Sequence, residues 1–294
     1  MIKFEGVYTA IVTPFKADAT IDWSAFDNLI DLQLAAGVNG IVPCGTTGES
    51  PTLKEDEQLA LIRRTVERCD GRCIVLAGTG SNSTAHAVHL SHAAEELGAD
   101  GCLVVNPYYN KPTQEGLFRH FQAVAQAVQI PVMVYNIKGR TGVNLETDTL
   151  LRLLAACSNI LAVKEASGDL AQMRDVIERA PKDFVVLSGD DNLTLEMMRF
   201  GGRGVVSVAS NIVPKEMVQM VAAASSSNWE LATQISVRLT ELFSAIFIET
   251  NPIPVKAILA SEGLCQETYR LPLCEMSAAN REQLIQVWQK FQAR

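Results

Sequence analysis

Residues 159–169 read NILAVKEASGD, and this stretch decides the fold. Ile160 to Val163 form a continuous apolar run closed by Ser167 and Gly168. An unbroken run of this length, rather than an alternating one, suits a parallel strand covered on both faces. Lys164 follows at once, and an ammonium buried without a partner costs several kcal/mol. A core strand that delivers an amine to its end requires a reason.

Seven further runs share the pattern: VYTAIVTP (7–14), NGIVPCG (39–45), CIVLAGTG (73–80), GCLVVNPYY (101–109), PVMVYNI (131–137), FVVLSGD (184–190) and GVVSVAS (204–210). The segments between them, such as WSAFDNLIDLQLAAG, carry apolar residues at three- and four-residue steps and often stop at glycine. Eight strand–helix units in about 220 residues predict a closed (β/α)8 TIM barrel, an α/β fold. An open doubly wound sheet would need a glycine-rich phosphate turn after its first strand. Thr13-Pro14-Phe15 stands there instead, and Gly78-Thr79-Gly80 lacks a third glycine. Beyond residue 214 the pattern is helical. The expected division is a catalytic barrel over 1–225 and a C-terminal helical extension over 226–294, with Asn251 capping a helix that has Pro252 in its first turn.

The side chains along the barrel strands should alternate, so Ile160, Ala162 and Lys164 are expected to share the inward face. Catalytic groups of such a barrel lie at the C-terminal strand ends. Strand two runs into Gly45-Thr46-Thr47-Gly48-Glu49, strand four ends in Tyr108-Tyr109, strand five in Tyr135 and then Arg140, and strand seven in Gly189-Asp190-Asp191. Hydroxyls, phenols, a guanidinium and one amine thus converge on one rim. Taking an amine out of water disfavours its cation, and a neutral amine attacks a ketone to form a Schiff base. Tyr135, on the neighbouring strand, is placed to move protons. Each residue alone has a plainer reading: a strand-end lysine as a solvated rim residue, Tyr135 as core, Arg140 as a surface charge. Lys138 and Lys256 are rival amines. The coincidence at one barrel end favours chemistry.

The 294 residues are 48% hydrophobic and 20% charged, which supports a large core, and the net charge of −8 argues against nucleic-acid and anionic-membrane partners. Seven cysteines without framework spacing, none in a C-x-x-C pair, predict reduced thiols in a cytoplasmic protein. The start MIKFEGVYTAIVTPF lacks a signal-peptide pattern. His86, His89 and His92 spread over a helix surface with no acidic or cysteine cluster to complete a metal site.

With those residues assembled, the chain resembles the dihydrodipicolinate synthase / N-acetylneuraminate lyase family of class I pyruvate aldolases. Gly45 to Ser50 matches one family signature, Tyr135 through Lys164 a second, and Asn251 to Lys256 a stretch typical of the synthases. The resemblance implies a lyase of the synthase type, in which Lys164 forms a Schiff base with pyruvate and no separate cofactor is needed. Thr46, Tyr135 and Tyr109 would relay protons, Tyr109 by reaching into a neighbouring subunit of a homotetramer. Thr47 and its backbone would hold the pyruvate carboxylate, with Val206 lining the same pocket and Gly189 offering a backbone contact. Arg140 would bind the carboxylate of L-aspartate 4-semialdehyde, and the product would open the diaminopimelate route to lysine. The family usually has a proline two residues before the arginine; Lys138-Gly139 is expected to loosen that loop. An allosteric lysine site would use Ser50, Asn82, His86 and Tyr108. His86 and Glu55 depart from its usual pattern, so weak or absent feedback inhibition is expected. The alternatives are a lyase or aldolase acting on another 2-keto acid, and a catalytically dead barrel.

Overall fold

All eight apolar runs become strands in the computed structural model, which describes residues 3–293. The chain order is β1 (Gly6–Ala10), α1 (Trp23–Ala36), β2 (Gly40–Val42), α2 (Glu55–Cys69), β3 (Ile74–Gly78), α3 (Thr84–Glu96), β4 (Gly101–Val105) and α4 (Gln114–Ala127). There follow β5 (Val132–Asn136), α5 (Lys138–Thr141), α6 (Thr147–Ala156), β6 (Ile160–Glu165), α7 (Leu170–Arg179), β7 (Val185–Ser188), α8 (Thr194–Arg199) and β8 (Gly204–Ser207). The chain ends with α9 (Pro214–Ser225), α10 (Trp229–Ala245), α11 (Ile253–Ser261) and α12 (Ala278–Gln292). The strands are parallel and pair in sequence order, and β1 pairs with β8 to close the barrel. Each strand is shorter than its apolar run, because the C-terminal residues of the run leave the ladder to build the rim.

Two apolar layers result. Tyr8, Val42, Leu76, Leu103, Met133 and Leu187 fill the barrel interior, while residues on the opposite strand faces pack under the helices. Several helices begin where short polar side chains replace missing backbone partners. Asp22 accepts from the amide of Ala25, Ser83 from that of His86 and Thr113 from that of Gly116. Phe4 meets Tyr8 edge to face at 6.1 Å near the barrel's lower end. Gly40 leaves room for that phenol, since a Cβ there would come within 2.4 Å of the Tyr8 ring.

Three local expectations change. Ile160 does not share the inward face: it packs in the outer layer, and Leu161 lies against the interior. The β5–β6 register jumps from Val132↔Ile160 to Met133↔Ala162, a bulge that leaves Leu161 as the extra residue and resets the alternation. Ala162 and Lys164 then point inward as expected. Asn251 does not cap the next helix; α11 starts at Ile253 with Pro252 before it, and the Asn251 amide turns to Thr47 instead. The segment around Gly139 is not a loose loop but the single turn α5. Thr141 Oγ1 donates to the Ile137 carbonyl at 2.8 Å, and the left-handed Gly142 (φ 74°) closes the turn onto Lys138.

Candidate active site

Lys164 ends the inward face of β6, 5% exposed, and stands opposite Tyr135 in the β5–β6 register. Its Nζ lies 4.0 Å from the centre of the Tyr135 ring, itself 5% exposed. Gly189, just past β7, presses on the lysine stem. A Cβ there would come within 3.0 Å of Lys164 Cε and 2.5 Å of Ala166 Cβ. The absence of a side chain at 189 is therefore what leaves the amine its path to the rim. Val206 lines the interior on β8 and is fully buried.

The next residue, Ser207, donates to Asp191, which also accepts from the amides of Val208 and Ala209. Burial pushes the Asp191 carboxyl up and these three donors pull it back, so the turn after β8 is held by one satisfied carboxyl group. Burial also raises neighbouring Asp190, and the charge of Lys164 opposes that shift.

The Thr46–Thr47 loop is a tight backbone structure. Gly48 N–H donates to the Gly45 carbonyl, Glu49 N–H to that of Thr46, and Thr13 Oγ1 to that of Gly48. Thr47 is buried and Thr46 half-buried. Thr47 Oγ1 accepts from Asn251 Nδ2 at 2.9 Å, and Arg140 Nη2 donates to the Asn251 carbonyl at 3.2 Å. Arg140 is exposed at the mouth, where it and Thr46 line a cavity of about 370 Å³ that reaches out to Ser50, His86 and Tyr108. Lys164 is not part of that cavity's wall; it lies deeper, within the barrel.

Tyr109 is 90% exposed and takes a left-handed backbone (φ 73°). That conformation is costly for an aromatic residue, and the exposed phenol is not packed into its own barrel. Asn110 Nδ2 ties the loop to the Asn82 carbonyl.

Two rival lysines are placed clearly. Lys138 is exposed on α5. Lys256 is fully buried on α11, and its Nζ meets Glu49 Oε1 and the Thr268 carbonyl at 2.6 Å each. Glu49 is the acidic residue of the Thr46–Thr47 loop, and its other oxygen accepts from Arg270 N–H. The sequence reading missed this pair. The available signal was a lone lysine inside IPVKAIL, a helix apolar on every side.

His86 and His89 both face Glu55, at 3.8 and 2.9 Å, and His92 faces Glu96 at 3.7 Å. Among the described residues, no group of three His, Cys, Asp or Glu side chains is placed to hold a metal ion. No helix among them is long and apolar enough to cross a membrane. The Cys69 and Cys73 sulfurs are 3.6 Å apart, a proximity that the four-residue spacing did not suggest.

The chain is similar to known proteins along nearly its whole length. A profile of the Dihydrodipicolinate synthetase family matches residues 3–290. The 4-hydroxy-tetrahydrodipicolinate synthase of Endomicrobium trichonymphae is 49% identical over 98% of both chains. Crystallographic dihydrodipicolinate synthase from Aquifex aeolicus superposes with a TM-score of 0.97 at 47% identity, covering 98% of both chains. The 4-hydroxy-tetrahydrodipicolinate synthase of Methylacidiphilum fumariolicum SolV gives a TM-score of 0.98 at 45% identity, over 99% of this chain and 97% of that one.

Proposed function

This chain belongs to the dihydrodipicolinate synthetase family, and we propose that it condenses pyruvate with L-aspartate 4-semialdehyde through a Schiff base on Lys164. The observation that carries the reading is the Lys164 amine itself, nearly dry inside the barrel against Tyr135 and at the strand end that faces the rim. The amine adds to the pyruvate carbonyl carbon, and loss of water leaves an imine. Loss of a methyl proton gives an enamine, whose carbon attacks the aldehyde. The amine of the second substrate then closes the ring on the imine carbon and releases Lys164. The electrons for carbon–carbon bond formation come from the substrate-derived enamine, so the scheme calls for no separate cofactor.

Tyr135 and Thr46 move protons in this scheme, joined by Tyr109 from a neighbouring subunit. The outward, left-handed placement of Tyr109 supports a homotetramer built from tight dimers. Thr47 takes the pyruvate carboxylate, Val206 and Gly189 shape its pocket, and Arg140 takes the carboxylate of the semialdehyde in bidentate fashion. Residues 226–294 extend the 1–225 barrel and complete its rim. Ser50, His86 and Tyr108, with Asn82 nearby, stand where relatives would bind lysine as an effector, and the departures at His86 and Glu55 leave that binding weak or absent. The reaction runs in the cytoplasm and opens the diaminopimelate route to lysine.

Borohydride reduction in the presence of pyruvate, followed by peptide mass spectrometry, tests the chemistry. The expected adduct is on Lys164 and is lost in Lys164→Ala. An adduct on Lys138 or Lys256, or none, overturns the assignment. A coupled assay then separates the substrates: turnover with a sugar-derived aldehyde but not with the semialdehyde would make the protein a lyase of another 2-keto acid.

A further inference from the structure

We propose that the Asn251 side chain is a positioning residue that turns the Thr47 hydroxyl into a hydrogen-bond donor aimed at the keto-acid carboxylate. The inference rests on the synthase reading above and adds a residue to it from the C-terminal extension. A threonine hydroxyl has one proton and two lone pairs. Asn251 Nδ2 donates to Thr47 Oγ1 at 2.9 Å and occupies a lone pair there. The hydroxyl proton is thereby left for another acceptor, and a carboxylate is acceptor-only. With the opposite amide orientation the proton would go to Asn251, and Thr47 would meet an anion with lone pairs alone.

Three features show that this contact is built rather than incidental. Asn251 is 5% exposed, and the two residues it joins are 204 apart in sequence. The Lys256–Glu49 pair fastens α11 to the same loop that carries Thr47, with both side chains fully buried. The Asn251 main chain also serves the site, since its carbonyl accepts from Arg140 Nη2 at 3.2 Å. One residue thus touches both groups assigned to substrate carboxylates, through its side chain for Thr47 and through its backbone for Arg140.

That split supplies the test. Asn251→Asp keeps the shape but replaces the donor by an acceptor, which captures the Thr47 proton and adds a repelling charge. Asn251→Ala only removes the donor. Pyruvate half-saturation is measured by borohydride trapping and by steady-state KM, with the semialdehyde KM measured alongside and folding checked by circular dichroism. We expect the pyruvate value to rise about tenfold in Asn251→Ala and about a hundredfold in Asn251→Asp, as for lost hydrogen bonds to a charged group. The semialdehyde KM should stay within about threefold, because the Arg140 anchor is main chain and survives both changes. In a Thr47→Val background the difference between Asp and Ala should largely vanish. An Asp variant as good as wild type or better than Ala, or equal losses for both substrates, overturns the proposal while leaving the synthase reading intact. Failure of the wild-type protein to trap pyruvate overturns both. Should Asn251→Asp fail to fold, Asn251→Ser against Asn251→Ala decides: a serine that restores no pyruvate binding when its hydroxyl can donate to Thr47 counts against the mechanism.

Discussion

Lys256→Met should be among the most damaging single substitutions in this protein, although Lys256 touches no substrate. Its ammonium and the Glu49 carboxylate are both fully buried at 2.6 Å. Burial pulls the Lys256 amine below the ordinary lysine range, and the Glu49 charge pushes it back. The cation also serves the Thr268 carbonyl and stands 4.6 Å from the centre of the Phe15 ring. Methionine fills much of the volume but leaves a carboxylate and a carbonyl without their donor. Breaking one side of a buried pair costs about 3–5 kcal/mol, which in a chain of this size lowers the unfolding midpoint by about 10 °C. Glu49→Gln combined with Lys256→Met removes both charges and should be more stable than Lys256→Met alone by about 2 kcal/mol. Thermal unfolding of the four proteins of this cycle reads both effects. A Lys256→Met protein within about 1 kcal/mol of wild type, or a double variant weaker than either single one, would refute the reasoning.

Three other expectations follow from single contacts. Gly189→Ala should slow pyruvate trapping at Lys164 at least about tenfold, because overpacking of about 1–3 kcal/mol falls on the lysine stem and Ala166; trapping at the wild-type rate would show that the space is not needed. His120 is buried, with its Nδ1 on Thr84 and Nε2 unpartnered, and burial lowers it from 6.5 to about 4. Below about pH 6.5 the unfolded chain binds a proton that the folded one refuses until about pH 4, so stability should fall by up to about 3 kcal/mol across that window. His120→Phe should flatten this part of the curve, and an unchanged slope would exclude the histidine as its source. Millimolar lysine should inhibit turnover weakly or not at all, since Glu55, the carboxylate beside His86, is already engaged by His86 and His89; inhibition in the sub-millimolar range would show that it can still serve a ligand ammonium.

The eight strands were legible because a parallel barrel buries both faces of every strand, and that leaves unbroken apolar runs which no surface element imitates. The rim was legible for a related reason: polar side chains that end an apolar run have nowhere to go but the strand end. Lys164 and Tyr135 could be read as neighbours before any coordinates, since strands in sequence order pair side by side. The inward place of Ala162 was also readable, but not that of Ile160. A bulge shifts alternation by one residue with no change in hydrophobicity, and Leu161 is as apolar as the residues on either side of it. The turn at α5 was misread because a glycine signals freedom locally, whereas Thr141 and Gly142 close the segment by hydrogen bonds.

What local patterns could not carry was the service that the last helices give to the rim. Asn251 and Lys256 lie outside the eight repeating units, and their partners Thr47 and Glu49 lie more than 200 residues earlier. Periodicity reports which face of a helix is apolar, not which distant loop a buried cation must meet. The electrostatics nevertheless constrain the answer: α11 is apolar all around, so its one ammonium needs a carboxylate from another element. Glu49 meets that demand from the loop that holds Thr46 and Thr47, and the pairing draws Asn251 onto Thr47. The threonine loop is thus gripped from outside the barrel by a charge and an amide, while Gly189 and Tyr135 set the amine from within. On this view the C-terminal helices are one half of the clamp that sets the donor directions at the mouth. Damage to Lys256 should therefore appear first as weaker pyruvate binding, at temperatures where the barrel is still fully folded.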